Sequence, residues 1–276
     1  MIPKSILGKT GARVTILGLG GEGLLRTYNY EKEAYDLINR ALDLKINYFE
    51  SARAYSGSES YYGIAIGEKR DEIFLSSKSH ARDKKGALKH LDKTLLNMNT
   101  DFLDLWQIHD VRTETDIKEI FGPNGAIEAF IEAKEEGVVK FIGITGHQSP
   151  DILCACLNRF DFDTVLLPIN PAEPQYESFI EKVIPLATDK KMGIIGMKVY
   201  LRGLVRKLPF YTGMDPFFRF ALSHPITTAV IGCDTIHQLE ENVSYAKLFK
   251  KMSEKEKNEL INLISPYATK LMYYKI

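Results

Sequence analysis

Phe102-Leu103-Asp104-Leu105-Trp106-Gln107-Ile108-His109 is a short, mostly apolar run that ends in an imidazole, and the chain repeats this arrangement. Ile73-Phe74-Leu75-Ser76-Ser77-Lys78 ends in an ammonium. Ile46-Asn47-Tyr48-Phe49-Glu50 ends in a carboxylate, with the phenol of Tyr55 soon after it. Short runs of this kind, nearly continuous in apolar character, read as strands buried on both faces. Five more lie at 13–19, 139–144, 164–169, 193–197 and 227–231. Stripes with helical spacing alternate with them: Ala34, Leu37, Ile38, Ala41 and Leu42 after the first run, and Leu88, Leu91 and Leu95 after the third. Ile127, Phe130 and Ile131 follow the fourth, where Gly137 supplies a left-handed stop. Phe179, Val183, Ile184 and Ala187 follow the sixth, and Leu239, Val243 and Ala246 the eighth.

Eight such repeats without a Pro/Gly/Ser-rich linker predict an α/β fold, a (β/α)8 barrel occupying 1–276 as a single domain. A doubly wound sheet would normally carry G-x-G-x-x-G after its first strand. Here Leu17-Gly18-Leu19-Gly20-Gly21-Glu22-Gly23 is glycine-rich without that spacing and reads as a tight strand exit. Two pieces lie outside the repeat. Ser5-Ile6-Leu7 and the strand from Arg13 flank Gly8-Lys9-Thr10-Gly11, predicting an N-terminal β-hairpin that plugs the barrel bottom. Ser253 with Glu256 is a capping box for an extra C-terminal helix.

Thirty-six basic and thirty-six acidic residues cancel, so no field attracts nucleic acid or an anionic membrane. The three cysteines cannot form a disulfide framework. Cys154 and Cys156 read as buried thiols rather than metal ligands, since no second ligand pair stands at metal spacing. No signal peptide is visible, and no apolar run nears the roughly 20 residues of a membrane helix. The expectation is a cytoplasmic protein, either a monomer or a small homo-oligomer.

Barrel active sites gather where the strands end. Glu50, Lys78 and His109 end the second, third and fourth runs, and Tyr55 sits in the loop after Glu50. A free phenol is a weak acid at neutral pH, but an adjacent ammonium favours its ionised form. Lys78 is the candidate neighbour, Glu50 its counter-ion, and His109 the group that orients a carbonyl. Together they could pass a proton to a developing alkoxide.

The segment Ile46-Asn47-Tyr48-Phe49-Glu50-Ser51-Ala52-Arg53-Ala54-Tyr55-Ser56-Gly57-Ser58-Glu59 resembles the signature of the aldo-keto reductases. So do Phe74–Lys78 as quoted above, Asp101 through His109, and Ile142-Gly143-Ile144-Thr145-Gly146, and the opening Leu7-Gly8-Lys9-Thr10-Gly11 is similar too. The resemblance extends to about Lys247. It implies hydride transfer between a nicotinamide cofactor and a small-molecule carbonyl, with a tetrad of Asp, Tyr, Lys and His. Tyr55, Lys78 and His109 match, whereas Glu50 stands where the family has Asp.

The resemblance also implies a cofactor site. Gly20 and Gly21 would line it, and Thr145 stands where relatives place a nicotinamide-contacting Ser. Gly146 and Leu166 replace the usual Asn and Gln, with Asn170 as a substitute. Met197 takes the place of a stacking aromatic ring or is simply core, and Lys198 would meet the pyrophosphate. Gly232, Cys233, Asp234, Gln238, Glu241 and Asn242 would form the adenosine end. Relatives that use NADPH commonly carry a cation where this chain has Asp234. NADP(H) is expected on family frequency, with NAD(H) close behind. Two alternatives stay open: a cofactor-binding sensor or regulatory barrel, and an aldolase using Lys78 or Lys198 as a Schiff-base amine. Rim segments 21–29, 110–124 and 200–212 mix Tyr28, Tyr30, Phe121, Phe210 and Tyr211 with Arg26, Arg112 and Arg202, which suits an aromatic or amphipathic substrate.

Overall fold

A computed structural model describes residues 1–275. Eight parallel strands close into a barrel: β3 (Leu17–Gly23), β4 (Tyr48–Glu50), β5 (Phe74–Ser79), β6 (Leu103–Ile108), β7 (Val139–Thr145), β8 (Thr164–Pro168), β9 (Gly193–Met197) and β10 (Thr228–Cys233), with β10 pairing back to β3. The predicted first strand is in fact two. β2 (Arg13–Thr15) pairs antiparallel with β1 (Lys4–Ile6), and the barrel strand starts afresh at Leu17. One apolar run conceals the change of direction, because both pieces bury side chains.

The hairpin closes the barrel as expected. Leu7 and Val14 are fully buried and join Tyr48, Phe74, Leu105, Leu166, Ile195, Met197 and Val230 in the barrel interior. Gly8 permits this approach. Its φ is +52°, and a Cβ there would lie 2.2 Å from the backbone nitrogen of Gly193.

Helices surround the sheet: α1 (Glu31–Asp43), α2 (Ser58–Ile66), α3 (Lys84–Met98), α4 (Glu114–Phe121), α5 (Ala126–Glu135), α6 (Pro150–Arg159), α7 (Phe179–Asp189), α8 (Asp215–Leu222) and α9 (Ile236–Lys247). Ala34, Leu37, Ile38, Ala41 and Leu42 are the buried face of α1, the stripe read from the sequence. On α5 the buried face is Ala126, Ile127, Ala129, Phe130 and Ala133, which includes the expected Ile127 and Phe130, whereas Ile131 points outward at 36% exposure. Helices α2, α6 and α8 had no clear periodic signal. α10 (Glu254–Ile264) carries the expected capping box from Ser253 and Glu256, followed by α11 (Ala268–Leu271). Among the described residues, no helix is long and apolar enough to cross a membrane.

The last described residues, Tyr273 to Lys275, return to the rim. Lys275 pairs with the fully buried Glu173 at 2.9 Å, and the Tyr274 hydroxyl donates to Glu173 at 2.5 Å. Burial of these polar groups is tolerable because each finds a partner. This anchors Tyr273 and Tyr274 beside the strand ends.

Candidate active site

Glu50 ends β4 level with Ser76 of β5, so Lys78 stands two residues further along the neighbouring parallel strand, its side chain on the same rim. The Lys78 ammonium lies 2.6 Å from a Glu50 carboxylate oxygen and donates to the Ser51 carbonyl at 2.8 Å. Glu50 also accepts from the Gln107 amide at 3.2 Å and the Tyr48 hydroxyl at 3.3 Å, so the extra methylene relative to Asp is accommodated inside a buried network. The ammonium sits 5.0 Å from the centroid of the Tyr55 ring, and the His109 ring crosses Tyr55 edge-on at 5.8 Å. The four predicted side chains converge.

Their proton affinities differ from the expectation at one point. Burial pushes the Tyr55 phenol well above its ordinary value, and Glu22 and Glu50 push the same way against Arg26 and Arg202. The net direction is upward even with Lys78 nearby. Burial dominates because an anion would be poorly solvated there. Burial also lowers Lys78, with Glu50 opposing. His109 is held well below its ordinary value by burial and by the neighbouring Lys78 and His147, so the imidazole is neutral. The arrangement presents a phenol that keeps its proton at neutral pH.

Tyr55 stands between two cavities. One, of about 660 Å³, has a wall of Gly20, Gly21, Gly23 and Gly232 facing Lys198, Arg202 and Arg206. The other, of about 500 Å³, contains His80, His109, His147, Arg82, Arg112 and the two C-terminal tyrosines. Tyr55, Glu22, Arg26, Lys198 and Arg202 belong to both. Glu22 holds the boundary together, with Arg26 at 2.8 Å, Arg202 at 3.2 Å and Lys198 at 3.8 Å. Burial alone would raise Glu22, but Lys198, Arg202 and Arg26 outweigh it and hold it below the usual carboxylate range. Burial brings Lys198 down to about 8. Lys198 and Arg202 both adopt left-handed backbone, at φ of 57° and 53°. Such conformations are costly for residues with a Cβ and cluster at functional sites.

A sequence model described as the aldo/keto reductase family matches residues 16–217, which includes the strand ends carrying Glu50, Tyr55, Lys78 and His109. The chain belongs to the aldo/keto reductase family. An oxidoreductase of uncharacterised function from Bacillus subtilis, YqkF, is 23% identical over 92% of this chain and 94% of its own. L-galactose dehydrogenase of Arabidopsis thaliana is 24% identical over 86% of each. An aldo-keto reductase of Bacillus halodurans in its holo form superposes with a TM-score of 0.81, at 22% identity, covering 95% of this chain and 96% of the other. One from Klebsiella pneumoniae in complex with NADPH gives 0.78 at 19% identity over 96% of each chain.

The family resemblance had suggested a set of cofactor residues. Of these, Gly20, Gly21, Met197, Lys198, Gly232, Asp234 and Gln238 line the first cavity. The others lie elsewhere. The Thr145 hydroxyl is buried and accepts from the Asp110 amide at 2.8 Å, with Gly146 beside it. Asn170 is fully buried, and its amide donates to the Tyr274 hydroxyl at 2.9 Å while its oxygen accepts from the Ala172 amide. It anchors the C-terminal tail. Cys233 and Asn242 bond one another behind the wall, where burial raises the thiol to about 12. Asn242 also accepts from Tyr200 at 2.7 Å, and Glu241 stays on the outer surface of α9.

The rim aromatics assigned to substrate are likewise elsewhere. Phe121 packs edge-on against Phe162 and Phe210 against Tyr267, and Tyr28 is 68% exposed. The second cavity is therefore far more polar than the loop composition implied. Two of its members could have been found by the strand-end rule. Asp110 follows His109 directly, and His147 follows the strand end at Thr145.

Proposed function

We propose that this chain is a nicotinamide-dependent carbonyl reductase in which Tyr55 donates the proton. The observation that carries the reading is the position of Tyr55, which keeps its proton, borders both cavities and has Lys78 and His109 against its ring. The first cavity suits a dinucleotide. Its glycine wall allows close backbone approach, and Lys198, Arg202 and Arg206 offer cations for a pyrophosphate. When bound, the dinucleotide supplies a hydride to the carbonyl carbon. Neutral His109 holds the carbonyl oxygen, the Tyr55 hydroxyl passes its proton to that oxygen, and the Lys78 ammonium stabilises the phenolate left behind. Glu50 keeps Lys78 charged and aimed.

The pH profile follows from these directions. Tyr55 acts protonated, below a value raised from its ordinary one of about 10, and His109 acts neutral, above a value lowered from about 6.5. At saturating dinucleotide, kcat should therefore form a plateau across pH 7–9, with neither group titrating inside it. The assay is oxidation of NADPH or NADH with short aldehydes. Tight dinucleotide binding without turnover of any aldehyde would identify a sensor instead. Borohydride trapping of an aldehyde on Lys198 without cofactor consumption would identify Schiff-base chemistry.

On family frequency the reading favours NADPH with NADH close behind, and Asp234 on the cavity wall limits that preference by repelling a 2′-phosphate. Asp234→Arg should shift the NADPH-to-NADH affinity ratio upward by about 10- to 100-fold, the range expected of a charge-assisted hydrogen bond. Calorimetric titration with both dinucleotides measures it, and an unchanged ratio would place the 2′-position elsewhere.

A further inference from the structure

We infer that Arg53, paired with the buried carboxylate of Glu59, is a positioning residue for Tyr55: the ion pair fixes the loop that carries the phenol to the border of the two cavities. This rests on the reductase reading above and concerns two residues that line neither cavity. Tyr55 needs such support. Among the described residues its hydroxyl has no hydrogen-bond partner, so the ring takes its place from the backbone of the loop and from packing.

That loop is pinned to β5 at alternate residues. The Ser51 amide donates to the Ser76 carbonyl and the Arg53 amide to the Lys78 carbonyl, both at 2.9 Å, which continues the β4–β5 pairing past Glu50. The Tyr55 amide then turns back to the Ala52 carbonyl, also at 2.9 Å. Arg53 is therefore the point at which the loop leaves the sheet, two residues before the phenol.

From there the guanidinium reaches Glu59 in the first turn of α2. Glu59 is 1% exposed, and both its oxygens are engaged. Ser77 of β5 and Thr94 of α3 donate to Oε1 at 2.8 and 2.7 Å, and Asn97 of α3 donates to Oε2 at 3.2 Å, the oxygen that also takes Arg53. Burying a carboxylate is costly without a cation and donors, and Arg53 supplies the charge. The three neutral donors fix the orientation of the carboxylate, and the carboxylate in turn fixes the fork of the guanidinium. A hydroxyl contact of 2.7 Å between Ser51 and Ser58 ties the same loop to α2 a second time. Apolar side chains of similar volume can replace a buried ion pair with little loss of stability. What the charged pair adds is direction, and a displacement of about 1 Å at a reacting group can cost about 10²-fold in rate.

The test compares Glu59→Gln, Arg53→Met and the double variant with the parent for melting temperature, dinucleotide dissociation constant, and kcat and KM with a short aldehyde such as propanal. Arg53→Met strands a buried carboxylate and should lower the melting temperature most. The double variant should recover most of that loss, because the carboxylate is gone too. Its kcat should not recover. In all three variants kcat should lie about 10- to 100-fold below the parent, with KM and the dinucleotide dissociation constant those of the parent. Glu59→Gln and the double variant decide the matter if Arg53→Met does not fold. A double variant that regains the parent's kcat along with its stability would show that the pair acts through folding alone and overturn the inference. So would full kcat in Glu59→Gln, or a loss carried by KM or dinucleotide affinity instead of kcat, and each of these leaves the reductase reading standing. No reduction of short aldehydes by the parent with either dinucleotide would overturn both.

Discussion

Tyr55→Phe should lower turnover by about 10²–10⁴-fold, the usual contribution of a positioned general acid, while dinucleotide affinity stays that of the parent. Among the described residues the hydroxyl has no hydrogen-bond partner and is absent from the buried unpartnered atoms, so its removal leaves no partner stranded there. Thermal stability should consequently move little. Steady-state kinetics and a dinucleotide titration on the same preparation separate the two effects. Full turnover in Tyr55→Phe would sink the assignment of the acid.

The largest effect on stability should come from breaking the pair beneath Tyr55. Lys78 and Glu50 are 1% and 4% exposed and in contact. Lys78→Met leaves the Glu50 carboxylate with only the Gln107 amide and the Tyr48 hydroxyl, and should cost about 3–5 kcal/mol, as removal of one partner from a buried pair generally does. Glu50→Leu strands the ammonium at a similar cost. The double variant should be far less destabilised than the two losses summed. Burial lowers Lys78 even with Glu50 beside it, a sign that the desolvation of the pair consumes most of its attraction. Denaturant unfolding of the three variants gives the coupling energy directly. Additive losses would mean the two groups act independently. Lys78→Met and the double variant should lack turnover because the ammonium that stabilises the phenolate is gone, and Glu50→Leu should lose most of it because Lys78 is no longer held charged, so the pair serves chemistry more than stability.

Legibility in the sequence tracked how local each cause was. Strands β4, β5 and β6 announced themselves because apolar runs buried on both faces need no knowledge of their neighbours. Their terminal side chains could then be placed on one rim by topology alone. The α1 stripe was equally readable. The split at Ile16 was not, because a run that turns from hairpin to barrel is apolar in both. On α5 the bulky Ile127 and Phe130 were legible and the alanines of the same face were not, because small side chains give little hydrophobic signal, while Ile131 proved to face outward. Asn170 was read, on the family resemblance, as a substitute for the Asn and Gln that Gly146 and Leu166 replace, yet the nearest group to satisfy its amide proved to be Tyr274, more than a hundred residues away.

Sequence alone determined the barrel, the hairpin plug and the four reactive side chains, because periodicity and strand ends are properties of short segments. Tertiary structure alone decided that Tyr55 holds its proton more firmly than Lys78 was expected to allow. It also decided that the C-terminal tyrosines wall the second cavity and that Arg53 of the Tyr55 loop pairs with the buried Glu59. Solvation and hydrogen-bond partnership depend on which distant atoms fill the space around a group, and that is settled only when the chain has closed on itself.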